Sequence, residues 1–245
     1  VPRIQVADLG QREYAPTWTL QHELQQAVIA QKLAAHDAPG AQAEPPANWL
    51  LLVEHPPVYT LGKSGKPEHL LATEAELAAL GATYLPIDRG GDITYHGPGQ
   101  LVAYPLFDLE QFGTDLSKYL RRLEQAVINV LAEYGLAGER LEGLTGVWLD
   151  AHGPHPRKIC AMGIRCSRWV TMHGLALNVS TDLSFFQRIV PCGIADADKG
   201  VTSISHELGR HVTLDDVKPR LVQHLAEVFE ASYVTASLPE PVGAL

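Results

Sequence analysis

The segments Arg157-Lys158-Ile159-Cys160-Ala161-Met162-Gly163-Ile164-Arg165-Cys166-Ser167 and Trp169-Val170-Thr171-Met172-His173-Gly174-Leu175-Ala176-Leu177-Asn178-Val179 decide the fold. Their apolar residues alternate or run together, and turn residues separate them. With 145–150 they read as a meander of strands. Upstream, Leu116, Leu120, Leu123, Val127, Val130 and Tyr134 recur at helical spacing, which predicts a helix over 114–134. Strands are expected at 100–106 and 84–88. Thr73 with Glu76 forms a capping box that opens a helix over 73–80. The continuous apolar run Trp49–Val53 suits a buried strand. It closes at His55-Pro56-Pro57, because proline cannot donate to a central ladder. A helix over 17–36, with Leu20, Leu24, Ala27, Val28 and Leu33 near one face, leads into a loop at 37–47. Downstream, Thr213 with Asp216 caps a last helix over 214–230. Helices and strands mix without strict alternation, so the expected fold class is α+β and not doubly wound. Residues 1–236 read as one domain and 237–245 as a flexible tail rich in proline and glycine.

The chain has 245 residues, 46% hydrophobic and 19% charged, which is globular and not disordered. A formal charge of −9 argues against a nucleic-acid partner. The three cysteines, at 160, 166 and 192, lack zinc-ribbon spacing and make no disulfide framework, so a reducing cytoplasm is expected. No run of 18 apolar residues predicts a membrane span, and Val1–Val6 lacks a signal-peptide pattern. No zinc site is expected, because no histidine pair has the short helical spacing of zinc ligands.

Three stretches could carry chemistry. In 89–100, Gly90, Gly91, Gly97 and Gly99 allow close backbone approach, either as a tight hairpin or as a ligand loop with exposed N–H groups. The dinucleotide fingerprint is not matched. Gly62-Lys63-Ser64 resembles the end of a P-loop, but Pro57 stands where the first glycine belongs, which removes an ATPase reading. Cys160 and Cys166 read as small buried hydrophobes. Cys192, flanked by Pro191 and Gly193, is either structural or a nucleophile at a pocket rim. Lys158 is either a solvated strand-end lysine or, if near Cys192, the cation that favours its thiolate. His55, His96 and His173 each sit in motif-like surroundings.

The ordered set of Glu54–Gly62, Arg89–Gln100, Gly146-Val147-Trp148, Lys158–Arg165, His173–Val179, Ile189–Ile194 and Lys199–Ser203 resembles the lipoyl(octanoyl) transferase family. The resemblance implies a mixed sheet flanked by helices, as in the biotin- and lipoate-protein ligases. It implies a thioester-forming Cys192 and a pKa-lowering Lys158. Implied substrate-binding residues are Arg89, Gly90, Gly91, Asp92, Ile93, Thr94, Tyr95 and His96, then Ala161, Met162 and Gly163, then Gly174, Leu175 and Ala176. Asp92 departs from the family, where glutamine is frequent, and so do Cys160 and Cys166.

On that resemblance, Cys192 takes octanoyl from octanoyl-acyl carrier protein and passes it to a lysine of an acceptor. The implied acceptors are lipoyl domains of 2-oxoacid dehydrogenase complexes and the glycine-cleavage H protein. Thioester-to-amide transfer is downhill, so no cofactor or metal is expected. Because both partners are typically acidic, a local basic face is expected, with Lys118, Arg121, Arg122, Arg157, Arg165 and Arg168 as candidates. Alternatives are an octanoyl amidotransferase between lipoyl-domain proteins, an ATP-dependent lipoate ligase, a hydrolase pairing Cys192 with His173 or His96, and a non-catalytic carrier-binding module.

Overall fold

The computed structural model describes residues 1–37, 45–190 and 199–238. In chain order its first half runs β1 (Arg3–Gln11), α1 (Tyr14–Asp37), β2 (Asn48–Glu54), β3 (Val58–Leu61), α2 (Glu74–Ala79), β4 (Thr83–Pro86), β5 (Ile93–His96) and β6 (Gln100–Leu106). Then follow α3 (Leu116–Glu133), β7 (Val147–Leu149), β8 (Arg157–Ser167), β9 (Val170–Asn178), β10 (Gly200–Val201), α4 (Ile204–Leu208), α5 (Leu214–Val228) and β11 (Ser232–Thr235). The large sheet has the order β10-β8-β9-β6-β2-β1-β11, with β7 also on β8. A smaller sheet has the order β4-β3-β5. Parallel pairs (β1 with β2) and antiparallel pairs (β8 with β9) coexist, so the α+β expectation holds.

The apolar run in β2 is explained by burial on both faces. Leu50 and Leu52 join the core beneath α3 and α5, where Leu123, Val127, Val217 and Leu221 are buried. Trp49, Leu51 and Val53 point the other way, into the core shared with Tyr14 and Leu24 of α1. A period of two along a central strand places successive residues in the two cores alternately.

The two capping boxes are present as expected, Thr73 with Glu76 and Thr213 with Asp216. Asp115 caps α3 by accepting from the Lys118 N–H. Helix α1 departs from expectation. It starts one turn earlier, at Tyr14, and Ala27 and Leu33 of its predicted apolar face are exposed. Gln21 and Gln25 are buried in their place. Gln21 Oε1 accepts from the His173 N–H, and Gln25 Nε2 donates to the Val170 carbonyl. The helix therefore faces the backbone of β9 partly with amides.

Strand β4 ends at Pro86, short of the expected 88, which frees Asp88 and Arg89 for the crossover to β5. That crossover passes from one side of β3 to the other, so Gly90 and Gly91 do not close a hairpin. Strands β1, β3, β5, β10 and β11, and helix α4, were not marked by the sequence pattern.

Candidate active site

The 89–92 crossover is pressed between two backbones. Gly90 N–H donates to the Ile164 carbonyl on β8, and Lys63 N–H donates to the Arg89 carbonyl from the other side. A Cβ on Gly163 would stand 2.7 Å from the Gly90 oxygen, and one on Gly62 would run into the Gly91 carbonyl. Gly91 has φ +89, a left-handed conformation that glycine adopts without strain. Arg89 is buried, and its Nη2 donates to the carbonyl and hydroxyl of Thr60 on β3 at 2.7 and 3.1 Å.

Against this crossover lies a cavity of about 100 Å³. Its wall holds Arg89, Gly91, Asp92, Ile93, Thr94 and His96 from the crossover and β5. Lys158, Ala161, Met162 and Gly163 of β8 face it, with Gly174, Leu175 and Ala176 of β9. The register brings these last groups together, since Ala161 pairs with Ala176 and Gly163 with Gly174. Lys158 Nζ lies 4.6 Å from the centroid of the buried Trp148 ring, a cation–π contact.

Two residues of the expected substrate-binding set turn elsewhere. Tyr95 is buried in the small-sheet core, stacked on Phe185 with ring centroids 4.6 Å apart. Gly90 is not part of the wall, and its amide serves the bond to β8. Conversely, Tyr14, Gln100, Tyr104, Thr145, His173, Asn178 and Phe186 line the cavity without having been assigned to it from sequence. A lone tyrosine at a helix start carries no local signal. Gln100 and Asn178 are register partners across β6 and β9, which only the assembled sheet reveals.

Three buried histidines surround the site. His55 Nδ1 donates to the Arg12 carbonyl at 2.6 Å, so Nε2 accepts from the Tyr104 hydroxyl at 2.8 Å. Burial lowers His55 to about 4. His96 Nδ1 meets Gln100 Oε1 at 2.8 Å, an acceptor because the same amide donates to Tyr95 O and Asn178 Oδ1. Its Nε2 faces the Thr60 hydroxyl, and burial pushes its pKa well down. His173, 1% exposed, donates from Nε2 to Asp88 Oδ1 at 2.8 Å. Burial lowers its pKa, only partly offset by Asp88, so the ring is neutral near pH 7.

Asp88 is a node. It accepts from Trp18 Nε1 at 3.0 Å and pairs with Arg165 as well as His173. Burial would raise its pKa, but the His173 hydrogen bond and the cations outweigh burial and hold it well below the usual carboxylate range. A second pair at the cavity edge joins Asp92 to His69. The His69 carbonyl in turn accepts from the Val190 N–H.

Cys192 lies outside the described residues. Of the other two thiols, burial pushes both Cys160 and Cys166 up in pKa, which disfavours the thiolate. Among the expected basic face, Arg121 pairs with Glu124, Arg157 with Glu207, and Arg165 with Asp88. Arg122 donates to the Phe112 carbonyl. Four of the six candidate cations are thus engaged within the fold. Among the described residues, no helix is long and apolar enough to cross a membrane.

The lipoyl protein ligase A/B catalytic-domain profile matches residues 13–226. An octanoyltransferase of Flavobacterium johnsoniae is 55% identical over 236 residues, covering 95% of this chain and 99% of that protein. An octanoyltransferase of Chloroflexus aggregans is 47% identical over 232 residues, covering 94% and 97%. Among solved structures, the bipartite lipoate protein ligase of Thermoplasma acidophilum superposes with a TM-score of 0.68 at 15% identity, covering 98% of this chain and 89% of that one. A lipoate-protein ligase A bound with ATP gives 0.65 at 15% identity, covering 98% and 90%. At such identity these two establish the shared fold and no more.

Proposed function

This chain belongs to the lipoyl protein ligase A/B catalytic-domain family, and from that premise we propose that it is an octanoyltransferase, moving octanoyl from an acyl carrier protein to a lysine of a lipoyl domain. The observation that carries the reading is identity of 47–55% with octanoyltransferases along nearly the whole length of both chains. The wall of the cavity suits such a substrate. Met162, Leu175, Ala161 and Ala176 offer apolar surface to an acyl chain, while Arg89 and Lys158 supply positive charge at polar positions.

In the mechanism we infer, Cys192 thiolate attacks the donor thioester carbonyl. The tetrahedral oxyanion is held by backbone N–H groups, with amides beside glycines as donors. The carrier thiol leaves with a proton from Lys158, and octanoyl-Cys192 remains. The acceptor lysine then attacks this thioester as free amine, and Lys158 takes a proton. Connectivity supports the pairing of Cys192 with Lys158. The chain entering 191–198 is tied by Val190 N–H to His69, whose side chain pairs with Asp92 of the cavity wall. The chain leaving it is tied by Thr202 N–H to the carbonyl of Lys158 itself, at 3.0 Å.

The test is a transfer assay with purified components. Octanoyl-acyl carrier protein plus apo lipoyl domain, without ATP, is expected to give octanoylated lipoyl domain. Transfer only from an octanoylated lipoyl-domain protein would make the chain an amidotransferase. Transfer only from free acid with ATP would make it a ligase. Release of octanoate to water alone would make it a hydrolase.

A further inference from the structure

Lys158 reaches the cavity through an irregularity in its strand. Val147 pairs with Cys160 but Trp148 with Lys158, so one step on β7 spans two on β8 and Ile159 is an extra residue. Strict alternation would put Lys158 and Ala161 on opposite faces of β8. A bulge re-aims the side chain beside it, and both residues line the same cavity. The Lys158 backbone also pairs with Val201 of β10, and its carbonyl accepts from the Thr202 N–H. What the backbone does not fix is the flexible stem of the side chain.

Trp148 meets the end of that stem. Residues directly paired on neighbouring strands present their side chains to one face, and Lys158 Nζ stands 4.6 Å from the centroid of the Trp148 ring. The indole is itself held. It is fully buried, and its backbone N–H and carbonyl both bond to Glu139. The turn leading into it is anchored by Gly146, whose N–H donates to the carboxylate of Glu124. Glu124 is also fully buried and accepts from Arg121 and Arg140. Gly146 has φ +103, and the Cys160 carbonyl fills the space a Cβ would need. Among the described residues, Trp148 Nε1 has no hydrogen-bond partner. A buried donor without an acceptor is destabilising, and phenylalanine would avoid that cost. The ring face accounts for tryptophan here, because indole attracts a cation more strongly than phenyl does.

Building on the transfer reading above, we propose that Trp148 is a positioning residue for that reaction, its indole face holding the Lys158 ammonium at the cavity wall. The step it serves is one proton transfer. An N–H bond of Lys158 breaks, an S–H bond forms on the departing carrier thiol, and the electron pair stays on Nζ. A proton donor on a long stem is effective only while it is aimed at the sulfur. Trp148 is not part of the cavity wall and acts through Lys158 alone. Its attraction is for the charged form. It therefore holds Lys158 while the proton is present and loosens once the amine is neutral and must turn toward the acceptor lysine.

Two measurements test this. Protein labelled with 5-fluorotryptophan carries four fluorine resonances, one for each tryptophan, and Trp148→Phe identifies the one from position 148. Lys158→Met, uncharged and of similar length, is expected to move that resonance and leave the other three in place. An unmoved resonance overturns the proposal. In the transfer assay, Trp148→Leu removes the aromatic face, whereas Trp148→Phe keeps a weaker one. Trp148→Leu is expected to lower kcat about 10-fold with KM for octanoyl-acyl carrier protein unchanged, and Trp148→Phe to recover most of that loss. Equal losses in the two variants, or a loss carried by KM, overturn the proposal. Should Trp148→Leu not fold, the fluorine spectrum of Lys158→Met decides alone. Absence of octanoyl-enzyme in the wild type, or its undiminished formation in Lys158→Met, would instead overturn the transfer reading, whatever the fluorine spectrum shows.

Discussion

Gly163 shows how closely the site depends on a missing side chain. The Gly90 carbonyl occupies the space where its Cβ would be, at 2.7 Å, and that contact is backbone, with no flexible side chain to give way. Gly163→Ala is therefore expected to push the 89–92 crossover off β8, breaking the Gly90 to Ile164 hydrogen bond. Overpacking of this kind costs about 1–3 kcal/mol, read as a lower urea midpoint. Because Arg89 and Asp92 move with the crossover, transfer activity is expected to fall further than the lost stability explains. Gly200→Ala makes a control, since a Cβ there meets only ordinary contact at 3.7 Å.

Elements differ in how openly their sequences announce them. Strand β8 matches its expected span because its apolar residues sit between the turns on either side, and β2 was legible because both of its faces are buried. Helix α1 was legible as a helix but not in its facing, since Gln21 and Gln25 read as solvated residues until the backbone of β9 supplies their partners. Strands β3 and β5 are four residues each and lie among prolines and glycines that read as loop. Much of the cavity wall was legible through motif, whereas Asp88 and Tyr104 acquire meaning only from the residues that tertiary structure brings to them. The β8–β9 turn holds one more element-scale consequence. Arg168 and Trp169 have φ +48 and +63, where side chains are disfavoured by roughly 1–2 kcal/mol each. Replacing the pair with Asn-Gly, the preferred residues of such a turn, is expected to stabilise the protein by about 1 kcal/mol or more, read as a higher unfolding midpoint. No change would show that Trp169 packing offsets the strain.

Across the whole molecule, the buried histidines tie stability to pH in one direction. Burial depresses His55, His96 and His173 below their ordinary value near 6.5. Between that value and each depressed one, the unfolded chain binds protons that the folded chain refuses. Stability therefore rises with pH through this window and is lost as pH falls. His55 alone, at about 4, accounts for about 3 kcal/mol between pH 7 and pH 4. Urea unfolding at pH 7 and pH 5 is expected to show a clear loss of stability at the lower pH, with proton uptake on unfolding. A flat profile would mean that these rings are not buried neutral. The net charge of −9 adds nothing to the attraction of acidic partners, and several arginines are committed to internal pairs. Recognition of the proposed acyl carrier donor is therefore expected to show little long-range electrostatic steering.

The proposed octanoyl-Cys192 intermediate is tested most directly by intact mass spectrometry after mixing with octanoyl-acyl carrier protein. The wild-type chain is expected to gain the mass of one octanoyl group, and Cys192→Ser to gain none. An adduct that persists in Cys192→Ser, or one that never forms in the wild type, would contradict it.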